Sequence, residues 1–549
     1  MRYPALLCCA ALALGASLAA AQQTSADNNR PHATGVVYHD ANANGTQDSG
    51  EPGLEGIGVS NGVDVVQTDS EGRYAVPVDG ACEIFVVKPA GYETPVDPAT
   101  NLPRFFYVHR PEGSPGLKHA GVAPTGPLPE AIDFPLYKND DVGDSFTMVV
   151  LGDTQARNQK EVDYISHDIV EELAEEEFLF GATMGDIVFD DLGVLEPITK
   201  SLGLVGVPWF HVIGNHDMNY DAPEARQAYE TYTRLFGPDY YSFDYGKVHF
   251  IALNSIRWDT KEQKYHGGLG EAQLTFVKND LALVPKDMLV VVLTHIPIPA
   301  WDQDHEELLG MLGAFPNTLS FSAHWHRHRH YFLGEDMGWP RAEPHHHVVH
   351  ATACGSWWGG HLDEVGIPHG VMADGAPNGH SFVTFDGNTY RMRFKAPRRP
   401  ENYQMDITAP EVVTPEQAAE TDVIANVFTG SARTKVTMRL GEEGEWQPMT
   451  QFTGKAPHAL RMDDQQRAVA RMAAKAMGFE EVTDQNKGKI AAFVQPILGR
   501  GLPDPKDTDH LWKATLPANR EPGYYFIHVK AEDMFGQVWT DRRVIRIEE

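Results

Sequence analysis

The chain has 549 residues, which is too long for one ordinary hydrophobic core, so we expect two to four domains. Its composition, 42% hydrophobic and 10% aromatic, is that of a globular protein rather than a disordered one. Acidic residues outnumber basic ones by 76 to 45, and the formal net charge is −31. Such a surface repels nucleic-acid phosphates, so we expect no nucleic acid duplex as a partner.

The first residues, MRYPALLCCAALALGASLAAAQQ, have the three parts of a secretory signal peptide. Arg2 supplies the charged start, residues 5–18 the apolar segment, and Ala19 to Ala21 the small-residue cleavage site. A short membrane anchor is the alternative, but the apolar run is shorter than the roughly 20 residues that a span needs. We therefore predict a signal peptide over residues 1–21 that is cleaved near Ala21, a periplasmic or secreted protein, and no transmembrane anchor.

Residues 34–138 consist of short β-like runs separated by glycine and proline, with no helical period. This pattern predicts an N-terminal β-sandwich domain. Inside it, the stretch DANANGTQDSGE matches the ligand offsets of a twelve-residue calcium loop, with Gly45 at the turn position. The calcium ligands would be Asp40, Asn42, Asn44, Asp48 and Glu51. The loop resembles those of bacterial surface B-type repeat domains, and the alternative is a solvated Asx- and Gly-rich turn.

From residue 144 to residue 398, apolar strand-like runs alternate with helical stretches, which favours a layered α/β domain. In such folds, ligands collect at the carboxyl ends of the strands. Five of six apolar runs end in residues that can bind a metal: Asp153, Asp186, Asn215 with His216, His295, and His324 with His326. Carboxylate and amide oxygens combined with imidazole nitrogens suit divalent cations such as Mn, Fe or Zn. The set therefore predicts a metal centre that acts on a phosphoryl group.

These motifs, in the order GDTQ, GD, GNHD, TH and AHWH, resemble those of the calcineurin-like metallophosphoesterases. The resemblance implies a four-layer core, two mixed β-sheets flanked by helices, and two metal ions. One metal would take Asp153, Asp186 and His326, and the other Asp186, Asn215, His295 and His324. His216 would stabilise the phosphoryl oxygen or protonate the leaving group, and Asp217 would orient His216. A metal-bridging hydroxide would be the nucleophile.

The block that contains GSWWGG, GIPHGVMADGAPNGH and FDGNTYRMRFKA, residues 355–396, resembles a secreted bacterial three-domain subgroup of that superfamily. Residues 400–549 again contain sandwich-like strands, and we predict a C-terminal accessory, mainly-β domain with a helical insert near residues 456–499. The neighbouring acids Asp190 and Asp191 either tune His216 or cap the next helix, and we favour capping.

Two positions depart from the family pattern. Gln155 stands where the family has the histidine of D-x-H, and its neutral amide oxygen is a weaker ligand, so we predict that the first metal binds more weakly than the second. Ala323 replaces the glycine before His324 and implies an ordinary backbone conformation or slight strain.

The run FSAHWHRHRHYF carries four histidines at every second position. In an extended strand all four would share one face, although same-face neighbours lie ~6.6–7 Å apart. The run could be one wide metal claw, a surface strip, or two ligands followed by two bystanders. We interpret His324 and His326 as ligands, and His328 and His330 as surface residues.

The sequence therefore predicts an exported two-metal phosphoester hydrolase that acts on a small-molecule or phospholipid-type substrate, with a diester slightly favoured over a monoester. Two alternatives stay open. The first is a non-catalytic surface-binding protein with a degenerate core, which Gln155 supports and the complete set of other ligands opposes. The second is an exported metal-dependent hydrolase of a different bond.

Overall fold

The computed structural model describes residues 30–139, 142–518 and 520–549. The predicted signal peptide lies outside the described residues. No helix in these ranges is both long and apolar enough to cross a bilayer.

The N-terminal region contains two four-stranded sheets, which are built from short strands because glycine and proline interrupt each run. The strands are β1 (His32–His39), β2 (Gly58–Ser60), β3 (Val65–Gln67), β4 (Arg73–Pro77), β5 (Cys82–Val86), β6 (Tyr92–Glu93), β7 (Phe106–His109) and β8 (Phe134–Lys138). One sheet has the order β4-β1-β8-β6 and the other the order β3-β2-β5-β7.

The central region contains thirteen strands. They are β9 (Ser145–Leu151), β10 (Phe180–Met184), β11 (Trp209–Val212), β12 (Tyr241–Tyr245), β13 (Val248–Ala252), β14 (Ile256–Asp259), β15 (Lys264–Gly267), β16 (Leu289–Leu293), β17 (Asn317–Ser322), β18 (Arg329–Leu333), β19 (His345–Val349), β20 (His380–Asp386) and β21 (Thr389–Lys395). Strands β14 and β15 form a separate hairpin.

Two mixed sheets form the core of this region. The first has the order β11-β10-β9-β20-β21, in which β9, β10 and β11 are parallel and β20 and β21 antiparallel. The second has the order β12-β13-β16-β17-β19-β18, in which β13, β16, β17 and β19 are parallel. The prediction of two mixed sheets is therefore confirmed.

Helices cover the outer faces of both sheets. They are Gln159–Ile165, Glu171–Leu173, Leu195–Gly203, Glu230–Phe236, Glu271–Leu281 and His305–Leu312, and a π-helical turn, Ser166–Val170, joins the first two. Shorter 3-10 turns are Leu192–Val194, Asn215–Asp217, Ala225–Tyr229, Ile298–Ala300 and Glu335–Met337.

Alternation along β9 shows how the layers pack. Met148 and Val150 belong to the core between the sheets, together with Phe243 and Phe250 of the second sheet. The intervening Val149 and Leu151 belong to a second core formed with the helices. Because successive side chains of a strand point to opposite faces, a run that is apolar throughout is buried on both sides. The result is four layers, helix–sheet–sheet–helix.

The C-terminal region adds two further sheets, of four and five strands. Its strands are β22 (Met405–Thr408), β23 (Val412–Val413), β24 (Asp422–Val427), β25 (Lys435–Leu440), β26 (Gln447–Pro448), β27 (Thr450–Lys455), β28 (Asp507–Thr515), β29 (Gly523–Glu532) and β30 (Val538–Ile547). A short helix, Pro415–Ala418, follows β23, and two longer helices, Pro457–Ala476 and Lys487–Leu498, stand between β27 and β28 as an insert.

Candidate metal centre

The predicted site residues follow the carboxyl ends of strands β9, β10, β11, β16 and β17. Because these strands run parallel within their sheets, their carboxyl ends meet along one edge of the two-sheet core. The structure brings Asp186, His295 and His324 together, with one ligand atom of each within 4.8 Å of the others. All three are residues of the second predicted metal set.

The ring of His295 lies at the middle of this group and is fully buried. Its Nδ1 donates a hydrogen bond to the carbonyl oxygen of Met184 at 2.8 Å, which leaves Nε2 with a lone pair in the neutral ring. Three further polar atoms surround Nε2: Asn215 Oδ1 and His324 Nδ1, both at 3.1 Å, and Asp186 Oδ2 at 3.3 Å.

A carboxylate oxygen, an amide oxygen and two imidazole nitrogens that converge in this way are the ligand types that a divalent cation prefers. Burial opposes protonation of His295, yet the charge and hydrogen bond of Asp186 raise its pKa to about 9. A proton on His295 can therefore hold these ligand atoms together when no cation is bound, and a divalent cation would take its place in the loaded site. The donor set fits a metal ion.

The first predicted metal set is more spread out. Asp153 is fully buried, its Oδ2 accepts from the backbone N–H of His324 at 2.9 Å, and its Oδ1 has no hydrogen-bond partner. His326 donates from Nδ1 to the carbonyl of Gly355 at 2.6 Å, which leaves its Nε2 as a ligand atom. An unpaired buried carboxylate oxygen is costly, so Asp153 Oδ1 also fits a cation.

Gln155 does not present its oxygen to this set. Its side-chain nitrogen donates to Asp186 Oδ2 at 3.1 Å, and its Oε1 lies 3.8 Å from the Sγ of the buried Cys354. The role of Gln155 as a metal ligand stays a prediction.

The backbone is strained at several of the ligands. Gln155, Asp186, His324 and His326 have positive φ angles of 44°, 49°, 68° and 50°. Non-glycine residues rarely adopt this region, and clusters of them mark functional sites. Ala323 is outside this group, so the strain falls on the histidines that follow it.

The positive angles at His324 and His326 correct the assumption that FSAHWHRHRHYF is one extended strand. Strand β17 ends at Ser322 and β18 begins at Arg329, so both predicted ligands lie in the loop between them. The shared face expected from a period of two therefore does not exist.

The surface position predicted for His328 and His330 is also wrong. His328 is buried, His330 is partly buried, and their Nε2 atoms lie 3.1 Å apart. His330 Nδ1 is 2.8 Å from Nε2 of His346, whose Nδ1 is 2.7 Å from the Tyr390 hydroxyl. These residues form a buried histidine cluster beside the C-terminal region.

His216 stands at the mouth of the centre, with 22% of its side chain exposed. Its Nδ1 donates to Asp190 Oδ1 at 2.7 Å, and its ring stacks on Phe189 at a centroid distance of 4.3 Å. Burial opposes protonation of His216, but the hydrogen bond and charge of Asp190 and the charge of Asp186 raise its pKa.

This geometry corrects two predictions. The carboxylate that orients the His216 ring is Asp190, whereas Asp217 accepts from the backbone N–H groups of Ile187, Val188 and Gly214 at 2.8–3.1 Å. Asp217 thus holds the loop after β10 against the loop after β11. The capping role predicted for both acids applies to Asp191 alone, which accepts from Gly193 N–H at 3.1 Å.

Two tryptophans near the centre have different surroundings. Trp358 is buried and donates from Nε1 to the carbonyl of Thr154. Trp357 is half-buried, and its ring centroid lies 4.2 Å from that of His326. The sequence motif GSWWGG does not distinguish the two, because both have φ angles near 50°.

The predicted calcium loop lies between β1 and β2, and its side-chain oxygens accept from its own backbone. Asp40 Oδ2 accepts from Gly45 N–H at 2.7 Å, and Glu51 Oε1 from Ala41 N–H at 2.8 Å. Asn42 and Asn44 both donate to Asp48 Oδ2 at 2.8 Å. Calcium binding stays a prediction.

Three family models match the chain. The model described as "Calcineurin-like phosphoesterase" matches residues 146–328. Those described as "N terminal of Calcineurin-like phosphoesterase" and "C terminal of Calcineurin-like phosphoesterase" match residues 41–118 and 347–490. No curated protein matches the chain.

Similar solved structures include a dimetal phosphatase from Danio rerio, at 14% identity over 45% of this chain and 98% of that one, with a TM-score of 0.32. A purple acid phosphatase from yellow lupin (Lupinus luteus) seeds is 12% identical over 67% of this chain and 68% of that one, with a TM-score of 0.36.

Proposed function

The chain belongs to the calcineurin-like phosphoesterases and is a metal-dependent phosphoric ester hydrolase; from this premise we propose that it is exported and hydrolyses small-molecule or phospholipid-type phosphoesters, with diesters favoured. The observation that carries the proposal is the convergence of Asp186, Asn215 and His324 on Nε2 of His295.

In this proposal the two cations, Mn, Fe or Zn, are held by the residues named from the sequence. Asp153, Asp186 and His326 hold one, with Gln155 beside them, and Asp186, Asn215, His295 and His324 hold the other. When bound, the cations supply Lewis acidity that polarises the phosphoryl group and lowers the pKa of water.

The protein's own side chains prepare the site for the cations. Met184 and Gly355 accept the Nδ1 protons of His295 and His326, so each ring keeps Nε2 as its ligand atom. The backbone N–H of His324 donates to Asp153 and that of His216 to Asp186, which holds both carboxylates in place. The ligands are therefore oriented before the cations bind.

His216 is the proton donor in this proposal. Asp190 accepts its Nδ1 proton, so Nε2 is the nitrogen left to the substrate, and Phe189 fixes the plane of the ring. A raised pKa keeps a larger fraction of the ring protonated near neutral pH, which suits a group that protonates a leaving oxygen.

The diester preference rests on charge. A dianionic monoester favours a cluster of arginines, as bidentate guanidinium groups match its oxygens. Arg157 is the guanidinium that packs over Phe189, and it is already bound to Glu161 and to the carbonyl of Trp357.

Two experiments test the proposal. Purified protein loaded in turn with Mn, Fe or Zn is assayed with bis(p-nitrophenyl) phosphate and with p-nitrophenyl phosphate. We expect metal-dependent release of p-nitrophenol, faster from the diester; no release with any metal would refute the hydrolase, and a faster monoester would refute the preference.

For export, the N-terminus of protein recovered from the periplasm or medium should lie just after Ala21, and a cell-retained, uncleaved chain would contradict it.

A further inference from the structure

A groove of 610 Å³ lies between the two inserted helices, Pro457–Ala476 and Lys487–Leu498, and the loop that carries Trp357. Its volume falls within the roughly 300–1,000 Å³ of small-molecule sites. Its apolar lining comes from Val469, Ala470, Val482, Ile490, Ala491 and Val494. The groove lies outside the candidate metal centre, and the mechanism proposed above does not use it.

The groove is connected to the metal centre by a short piece of backbone. Gly360 lines the groove, and its N–H donates to the carbonyl of Arg500 at 2.8 Å. Trp357 precedes Gly360 by three residues, which span at most ~11 Å of extended chain. Trp357 also lies against His326, so one short loop contributes both to the groove wall and to a contact with a predicted metal ligand.

Trp357 extends the apolar surface towards the centre. Its indole is half-buried, whereas the indole of Trp358 is buried and hydrogen-bonded. Its φ of 54° is costly for a bulky side chain, and such strain persists where the surrounding structure holds it.

Charged residues of both signs line the mouth of the groove. Arg467 and Lys487 are paired with the carboxylates of Asp463 and Asp484. Arg500 forms no ion pair with any carboxylate in the described ranges. Partial burial and the charge of Arg157 lower the pKa of Arg500, and the charge of Glu161, which binds Arg157, raises it. An anion placed at the mouth would pair with Arg500.

We propose that this groove binds the acyl chain of an amphiphilic phosphoester substrate, with the headgroup passing Arg500 and Trp357 and the phosphate at the metal centre. The proposal rests on the phosphoesterase function proposed above and names the substrate class of that site. Apolar walls favour the chain, and Arg500 favours the anionic end of the same molecule.

The test is the dependence of kcat/KM on acyl chain length. Monoacyl glycerophosphocholines and the matching monoacyl glycerophosphates, from acetyl through butyryl to octanoyl, are supplied below their micelle-forming concentrations, and their loss is followed by phosphorus NMR. We expect kcat/KM to rise by up to about fourfold per added methylene, mainly through KM.

Matched variants locate the effect. Ala491 and Ala492 are neighbours on one helix and both are exposed, but only Ala491 lines the groove. Ala491→Trp should fill the groove and flatten the chain-length series, whereas Ala492→Trp should keep it; thermal denaturation checks that both are folded. Arg500→Gln should lower kcat/KM for the octanoyl esters severalfold.

The possible failures are distinguishable. Hydrolysis of the aryl probes with a flat series in wild type would overturn the groove proposal and leave the proposed function intact, while no hydrolysis of any ester would overturn both. A steep series that Ala491→Trp and Ala492→Trp change equally would also overturn the groove as the chain site, and binding of phosphatidylglycerol vesicles with a flat series would replace it by membrane docking.

Discussion

The candidate metal centre and the buried histidine cluster are both rich in imidazole and share the run His324 to His330, yet their ring nitrogens are satisfied differently. In the cluster, the chain Ala351 N–H, His328, His330, His346 and Tyr390 has a donor and an acceptor at each link when all rings are neutral. At the centre, a carboxylate oxygen, an amide oxygen and a second imidazole nitrogen converge on one atom, His295 Nε2.

This contrast teaches that the number of histidines does not identify a metal site, whereas the convergence of carboxylate and amide oxygens on an imidazole nitrogen does. A balanced chain of neutral rings is a polar core that stabilises the fold. A buried set of converging oxygen and nitrogen ligand atoms suits a cation. The same balance explains His345 and His347 of β19, which lie within 2.7–3.0 Å of the hydroxyls of Ser320 and Ser322.

The largest loss of activity is expected when the metal centre is disrupted and the buried histidine cluster stays intact. Asp186→Ala removes the carboxylate assigned to both cations, so hydrolysis of bis(p-nitrophenyl) phosphate should fall to the uncatalysed rate. His330→Leu, which alters only the cluster, serves as the control and should retain turnover. Near-wild-type turnover in a folded Asp186→Ala protein would sink the assignment.

The next largest loss of activity distinguishes the roles of two neighbouring acids near the mouth of the centre. His216→Ala should lower kcat by about 10²–10⁴-fold because the proton donor is lost. Asp190→Asn should lower kcat by about 10–100-fold, as is typical when an orienting partner is lost. Asp191→Asn alters the cap of a 3-10 turn and a 3.7 Å contact with His119, neither of which touches His216, so it should stay close to wild type. Equal losses in the two Asn variants would contradict the role of Asp190.

A smaller effect is expected in stability when the cluster is broken. His330→Leu leaves His328 and His346 without their partner, and each lost partner of a buried polar group costs about 1–3 kcal/mol of unfolding free energy. Urea denaturation of the metal-loaded proteins measures this, with turnover as the second readout. Unchanged stability would show that the chain of hydrogen bonds is not formed.

The smallest effect is a dependence of stability on pH. Burial lowers the pKa of His330 and of His350 to about 4, below the ordinary value near ~6.5. Between these values the unfolded chain binds protons that the folded chain does not, so stability is present above ~6.5 and is lost as the pH falls towards about 4. The difference in melting temperature between wild type and His330→Leu should therefore shrink from pH ~7 to pH ~5, and a constant difference would contradict these pKa values.

The ligand positions could be predicted because ligands collect at the carboxyl ends of parallel strands, and those strands can be recognised in the sequence as apolar runs. Apolar runs became parallel strands, and the metal-capable residues after Leu151, Met184, Val212, Leu293 and Ser322 lie at their carboxyl ends. The order of motifs gave the family, which the matches over the central, N-terminal and C-terminal segments confirm.

What could not be predicted depends on backbone angles and tertiary contacts. Side chains alternate with a period of two only while the chain is extended. The φ of 68° at His324, directly after Ala323, means that the chain is no longer extended there. Asp190 has a φ of 63°, which turns its carboxylate to His216, a contact 26 residues away in sequence. The burial of His328 and His330 depends on tertiary contacts. Asp374 of the central region accepts from the His328 N–H, and His510 of the C-terminal region lies 3.3 Å from the same carboxylate oxygen.

The most direct test of the account is the metal content of three proteins, measured by plasma mass spectrometry after incubation with Mn or Zn and removal of free ions. Wild type and His330→Leu should each retain about two metal ions, as expected of a binuclear phosphoesterase, whereas His324→Leu should lose at least one of them. A wild-type protein that retains no metal, or equal losses in His324→Leu and His330→Leu, would contradict the claim that the ligand atoms converging on His295 mark the metal centre.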